Sequence, residues 1–268
     1  DLVNVNTRMT KNVSLFGFYV FNHAKSDTDG ANSFPSNQYD FTGEYGRSSL
    51  DVRHRFVLGG SLSTKWGLRW SPFIIAHSGE PFNITTGRDL NGDSVFTDRP
   101  GLATDCSVRS VVCTPFGNFD TSPKPGQAII PRNFGNGPSY FAVNLRMSKT
   151  WGFGERATAR PAGGSDSGGG PGGDHGGRGS RGGGSPGGMR MGGGGEHGGG
   201  GGESTGKRYN VTFSASARNL LNTLNAGNPI GNLTSPLFGR SNALASGFGP
   251  DRNSANNRRL ELQLRFTF

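Results

Sequence analysis

The sequence has 268 residues, of which only 31% are hydrophobic and 47 are glycine, so a conventional water-soluble domain of this length would lack apolar material for its core. There is no run of about 20 apolar residues, which excludes membrane-spanning helices. The net charge of +9 comes from scattered basic residues, and we expect no nucleic-acid partner. Because Asp1 is preceded by neither a Met nor an apolar leader, we expect a fragment whose export signal lies upstream.

The predicted elements, taken in chain order, are strands in which apolar and polar residues alternate. The first segment, Val3 to Met9, turns at Thr10 to Asn12 into a second, Val13 to Phe21. The next two segments are joined by a tight turn at Thr64 to Gly67, and the apolar positions that share a face there are Phe56, Leu58, Leu62, Leu68, Trp70, Ile74 and Ala76. Later apolar positions follow the same period at Phe141, Val143, Leu145 and Met147, at Tyr209, Val211, Phe213, Ala215 and Ala217, and at Leu260, Leu262, Leu264, Phe266 and Phe268. A period of two predicts strands, and we count about seven, of roughly 9–13 residues, which suits a tilted membrane span.

The connections between these strands alternate in length. The turns at Thr10 to Asn12 and Thr64 to Gly67 are short, whereas Ala24 to Leu50, Gly79 to Ser139 and Thr223 to Asn257 are long and polar. Alternation along the strands alone would also fit a soluble sandwich, but compact soluble domains rarely carry such long loops repeatedly. Short periplasmic turns and long outer loops are typical of outer-membrane barrels. We therefore predict an all-β fold, the C-terminal strands of an antiparallel up-and-down transmembrane β-barrel.

A Gly-rich segment at 163–206 interrupts the pattern, between a strand that ends at Trp151 and one that begins at Lys207. Its composition predicts disorder, and the alternation of loop lengths puts it in a periplasmic turn. The chain then divides into 1–162, 163–206 and 207–268. Arg178, Arg181 and Arg190 resemble an RNA-binding RGG segment, which would make the protein a soluble RNA binder, but the aromatic residues on which bases stack are absent.

Two candidate sites fall in the long loop that precedes Ser139. Cys106 and Cys113 close a short polar loop and predict a disulfide in an oxidising compartment. Earlier in the same loop, oxygen ligands lie at alternate positions in Asp89, Asn91 and Asp93, with Asp98 beyond, as in a Ca²⁺-binding loop. Asx-turn chemistry explains the same residues without an ion, so both interpretations stay open.

Aromatic residues near the predicted turn ends of strands suggest a membrane-interface girdle, formed by Trp66, Trp70, Trp151 and Tyr209. Packing in turns or in the core is the rival interpretation. None of His23, His54 and His77 has a Ser, Cys or carboxylate partner at a telling spacing, so we expect no enzymatic activity.

An ordered set of short motifs resembles one family. The set comprises Asp51 to Leu58, Ser78 to Gly87, Asp89 to Asp93, Asp98 to Pro100, Ala217 to Asn222 and the terminal Phe268. In this order it resembles the C-terminal barrel region of TonB-dependent outer-membrane receptors of Gram-negative bacteria, particularly the Oar-like group. Leu264, Phe266 and Phe268 resemble the terminal signal that the barrel-assembly machinery recognises.

The resemblance implies a 22-stranded barrel that is closed by an N-terminal plug and is energised through TonB. Such a transporter imports scarce nutrients such as siderophores, cobalamin, glycans or peptides, and its barrel contacts outer-membrane lipid. Our first hypothesis is therefore a transporter fragment whose outer loops contribute to ligand capture. The second is a structural or adhesive surface protein without transport.

Overall fold

The computed structural model describes residues 1–30, 33–156, 205–245 and 257–268. The predicted insert at 163–206 lies outside these residues except for its last two, so its disorder stays a prediction. No helix in the described ranges is long and apolar enough to cross a membrane. The regular elements there are all strands, namely β1 (Leu2–Thr10), β2 (Val13–Phe21), β3 (Lys25–Ser26), β4 (Gly46–Arg47), β5 (His54–Ser63), β6 (Leu68–His77), β7 (Pro81–Phe82), β8 (Gly101–Leu102), β9 (Val111–Thr114), β10 (Gly117–Asp120), β11 (Gly135–Asn136), β12 (Tyr140–Arg156), β13 (Lys207–Arg218) and β14 (Arg259–Thr267).

The long strands form one sheet in the order β1-β2-β5-β6-β12-β13-β14. Each of them lies beside the long strand that precedes it in the chain, as an up-and-down fold requires, and the pairs from β1 to β12 are antiparallel. β1 and β14 are the two edges, and no pairing joins them within the described ranges. The sheet is therefore not a closed barrel.

The sequence-based end and length of β12 need correction. The strand continues past Trp151 to Arg156, and its 17 residues exceed the predicted length. Apolar residues go on alternating with Gly152 and Gly154 at Trp151 and Phe153. Gly154 has φ = 81°, a conformation that glycine adopts readily.

The chain divides into two compact units. The first comprises residues 1–149 and 213–264, and holds most of the sheet together with the long loops. The second comprises residues 150–212 and 265–268, and its described part holds the ends of β12, β13 and β14.

In the first unit the register places apolar residues of neighbouring strands side by side. This apolar face includes the cross-strand partners Phe56 and Ala76, Leu58 and Ile74, Leu62 and Trp70, and Val143 and Ile74. On β14 the predicted apolar residues stay exposed, with Leu260, Leu262 and Leu264 at 70, 74 and 72%. An exposed apolar surface of this kind needs a nonpolar environment.

The opposite face of the same unit changes character along the strands. Toward the long loops it carries a buried cluster of Val57, Ile75, Tyr140 and Ala142. Phe18 and Phe73 pack against this cluster, as does Ala245 from the loop that follows β13. Toward the tight turns it carries serine and arginine, so only the loop end of this face is a hydrophobic core.

Candidate functional site

The long loops of the first unit fold on a hydrophobic core of their own. Phe82, Ile84, Phe119 and Ile130 lie between β6 and β12, and Leu233 comes from the loop between β13 and β14. Phenylalanine rings meet edge to face around this core, with centroids 5.3 Å apart for Phe82 and Phe116, 6.0 Å for Phe116 and Phe238 and 5.9 Å for Phe119 and Phe134. Shared burial therefore fixes these two loops against one another.

A buried ion pair fastens the first long loop, residues 22–53, to the second. Arg99 Nη2 donates to Glu44 Oε1 at 2.7 Å, and each side chain is only 6% exposed. The same nitrogen donates to Ser36 Oγ and to the carbonyl oxygen of Gly43. Burial has the largest effect on the Arg99 guanidinium and lowers its pKa. The negative charge of Glu44 acts in the opposite direction and raises it. Since an unpaired buried charge is costly, the two groups depend on each other.

A second ion pair joins the same two loops at Asp29. Arg132 Nη2 donates to Asp29 Oδ2 at 2.7 Å, and Asn133 donates to the same oxygen at 2.9 Å. Burial raises the pKa of Asp29, but hydrogen bonds from Ser49 and Asn133, together with Arg132, outweigh that effect and lower it below 3.8. The carboxylate is therefore held in its ionised form.

Asp51, in the first family-like motif, ties the two ends of the first loop together. Its buried carboxylate accepts hydrogen bonds from the Ala24 amide at 2.9 Å, from Arg47 Nε at 2.8 Å and from Arg53 Nε at 3.3 Å. Burial raises the pKa of Asp51, yet these donors outweigh it and lower the pKa below 3.8. The residue therefore acts as an anchor within the loop.

Asparagines of the third loop, residues 219–258, anchor it to β12. The side chain of Asn225 accepts from the Phe141 amide at 2.9 Å and donates to the Phe141 carbonyl at 3.1 Å. Asn219, in the Ala217 to Asn222 motif, adopts φ = 47° and donates its amide to Asn144 Oδ1 at 2.9 Å. Asparagine tolerates this left-handed conformation, which explains the residue type in the motif.

The four predicted Ca²⁺ ligands come together in one loop. Asp89 Oδ1 accepts from the amides of Gly92 and Asp93 at 2.7 and 3.1 Å. Asn91 Nδ2 lies 3.3 Å from both Asp93 and Asp98. Burial raises the pKa of Asp98, and the carboxylates of Asp93 and Asp89 raise it further. Within the described residues, no group of three His, Cys, Asp or Glu side chains is arranged for a metal ion; the Asx turns are present, and Ca²⁺ stays a prediction.

Cys106 and Cys113 are joined by a disulfide with Cα atoms 6.0 Å apart. Cys113 belongs to β9, which pairs with β10 from Val111 to Thr114. The crosslink therefore ties the connection that precedes β9 to the hairpin of the second loop.

The predicted girdle residues lie in different surroundings. In the first unit Trp66 is 81% exposed in the tight turn, and Trp70 lies on the apolar face as the partner of Met147. In the second unit Trp151 is 40% exposed, and Tyr209 stacks on Phe266 with centroids 6.2 Å apart. Their role at a membrane interface stays a prediction.

Sequence reasoning missed two groups of aromatic residues. Tyr19, Phe21 and His54 cluster at the loop end of the apolar face, where Tyr19 Oη lies 2.7 Å from His54 Nδ1. The alternation in β2 could have revealed them. The first loop also exposes large rings at Phe34, Tyr39, Phe41 and Tyr45, to 72, 85, 61 and 66%. No periodicity marks this second group.

An antiparallel sheet with one apolar face, tight turns at one end and folded loops at the other is typical of a membrane β-barrel wall. The model of the outer membrane beta barrel domain family matches residues 2–160. The chain belongs to this family, and its place is the bacterial outer membrane. No curated protein and no solved structure matches the chain. In a barrel of this family we expect the apolar face to contact lipid and the opposite face to line the lumen.

Proposed function

We propose that the chain is part of a TonB-dependent outer-membrane transporter for energy-coupled uptake of a scarce nutrient. The observation that carries the proposal is the loop assembly, in which two long loops share the core around Phe119 and Leu233. The first loop is attached to this assembly by the buried ion pairs that Arg99 and Arg132 form with it. A surface that is already ordered loses little entropy when a ligand binds, which suits a receptor. The ordered motifs of the sequence supply further support.

The exposed aromatic residues of the first loop are our candidates for ligand capture. Tyr39 and Tyr45 are 85 and 66% exposed, and Lys25 Nζ lies 5.8 Å from the centroid of the Tyr45 ring. Rigid aromatic side chains supply contact area at low entropic cost. Siderophores, cobalamin, glycans and peptides all offer surfaces that such rings can cover.

Two protein partners belong to the proposal. Contact with TonB is expected of an N-terminal plug region. The barrel-assembly machinery is expected to read the terminal strand, where Leu264, Phe266 and Phe268 are 72, 58 and 92% exposed. Deletion of Phe268 from the full-length protein should then lower its yield in the outer membrane, and an unchanged yield would reject this role.

Uptake by living cells tests the transport proposal. A strain without the full-length gene would be grown with iron, cobalamin, glycan or peptide limiting in turn. The gene would then be restored as the wild type, as Tyr39→Ala/Tyr45→Ala, or as the control Lys65→Gln in a tight turn. We expect one nutrient to require the wild type and intact TonB, with the double variant impaired and the control normal.

The alternative is an outer-membrane structural or adhesive protein, and the exposure of Phe34, Tyr39, Phe41 and Tyr45 also fits surface contact. It predicts that the deletion strain attaches poorly to cells or surfaces yet grows normally on every nutrient. That outcome would contradict transport, as would uptake that persists without TonB.

A further inference from the structure

In the first unit, the half of the luminal face that lies nearest the tight turns carries a continuous polar belt. We define this arginine belt as Arg8, Arg69 and Arg146 with the serines beside them. The register pairs Arg8 with Ser14, Ser14 with Ser61, Ser71 with Arg146, and Arg69 with both Ser63 and Ser148. Five neighbouring strands therefore contribute to one polar surface, namely β1, β2, β5, β6 and β12.

Hydrogen bonds connect parts of the belt. Ser14 Oγ and Ser61 Oγ lie 2.7 Å apart on β2 and β5. Arg146 Nη2 donates to Ser214 Oγ on β13 at 3.3 Å. Serine hydroxyls can donate as well as accept, so the belt combines fixed positive charges with adaptable donors.

The charge on this face is strongly one-sided. On the long strands of the first unit, its arginines are Arg8, Arg55, Arg69, Arg146, Arg218 and Arg259. Among the described residues of these strands the face carries one carboxylate, Glu261, whose Oε1 lies 3.8 Å from Nε of Arg218. No carboxylate of the described strands falls within the belt itself. A surface with such an excess attracts anions through the low-dielectric environment of a barrel.

We propose that the arginine belt is a binding site for water-soluble oxyanions, which carry phosphate or carboxylate groups, in the barrel lumen. Charge complementarity selects this occupant, because guanidinium groups match the oxygens of such anions with two parallel hydrogen bonds. Arg8 and Arg146 lie four strand spacings apart, roughly 19 Å. The belt therefore offers several contacts to an anion across neighbouring strands. This inference rests on membership of the barrel family and not on energy-coupled uptake.

Phosphate binding to the full-length protein tests the belt. The protein would be reconstituted in nanodiscs of zwitterionic phosphatidylcholine, so that no anionic lipid competes, and titrated with inorganic phosphate in a calorimeter. The belt variant is Arg8→Gln/Arg69→Gln/Arg146→Gln. The control, Arg88→Gln/Arg109→Gln/Arg240→Gln, removes the same number of charges from the loops.

We expect the belt variant to bind phosphate about tenfold more weakly, and the control to stay within about threefold of the wild type. Arg8→Lys/Arg69→Lys/Arg146→Lys should retain part of the affinity because it keeps the charge. If the triple glutamine variant does not fold, the three single glutamine variants replace it, and each should weaken binding. Absence of heat from the wild type at millimolar phosphate, or equal losses in belt variant and control, would overturn the site. Either result would leave nutrient uptake untouched.

Discussion

At the scale of single residues, Gly59 shows how a missing side chain shapes the barrel wall. It pairs with Phe16 on the neighbouring strand, and a Cβ atom placed on it would overlap the Phe16 ring. That ring also lies 6.4 Å from the ring of Phe73. An aromatic ring laid over glycine fixes the register of neighbouring strands. The sequence shows the glycine, but the ring that covers it is known only once the strands are paired.

Gly59→Ala should therefore destabilise the protein by about 1–3 kcal/mol, the usual cost of overpacking. Urea unfolding of the full-length protein in detergent micelles would measure the loss. Phe16→Ala removes the ring that the new methyl group meets. The double variant Phe16→Ala/Gly59→Ala should consequently be no less stable than Phe16→Ala alone, and a fully additive loss would contradict this packing.

Asp51 gives the first loop a dependence on pH. Its folded-state pKa lies below the ordinary 3.8 because hydrogen bonds from Ala24, Arg47 and Arg53 outweigh its burial. A lowered folded-state pKa contributes stability above pH 3.8 and loses it as the pH falls through the folded value. The protection of amides in residues 22–53 against hydrogen exchange, relative to their intrinsic rates, should thus fall below about pH 4.

Asp51→Asn should remove much of that acid-induced change and speed exchange at neutral pH. Asp40→Asn is the matched control in the same loop. The pKa of Asp40 is lowered by the amide and the hydroxyl of Thr42, so its protonation does not separate the two ends of the loop. If both variants gave the same exchange profile, the anchoring role of Asp51 would be wrong.

At the scale of elements, the long strands were predictable and the short ones were not. A period of two marked β1, β5, β6, β13 and β14, because one face of each is apolar. β3, β4 and β7 to β11 have only two to four residues, too few to show a period. Their positions depend on contacts between loops that are distant in sequence.

The ion pair between Arg99 and Glu44 is the strongest such contact to test. Glu44→Gln leaves a buried guanidinium without its countercharge, which should cost about 3–5 kcal/mol in the loop assembly. Limited proteolysis should then cut the first loop faster while the sheet keeps its strand content by circular dichroism. Glu261→Gln removes a half-exposed partner of Arg218, and should change stability by less than about 1 kcal/mol. Equal protease sensitivity of the two variants would contradict the role of the Arg99–Glu44 pair in joining the loops.

At the scale of the whole molecule, the class of protein could be inferred because two patterns agree. Apolar alternation alone fits a sandwich as well as a barrel. The alternation of short turns with long loops favoured the membrane, and the family match establishes the outer-membrane barrel domain. The loop core around Phe119 could not be foreseen, since its members are spread from Phe82 to Phe238 without periodicity.

We expect the wall to cross the outer membrane with its folded loops outside and its tight turns inside. Single cysteines at Tyr39 and Leu224, exposed by 85 and 73%, would report the loops, and one at Lys65 would report a turn. Cys106 and Cys113 are joined to each other, so they stay silent without a reductant. Labelling of intact cells with a membrane-impermeant maleimide should modify positions 39 and 224 at once, and position 65 only after the outer membrane is permeabilised. Labelling of position 65 in intact cells, with 39 and 224 protected, would contradict this orientation of the wall.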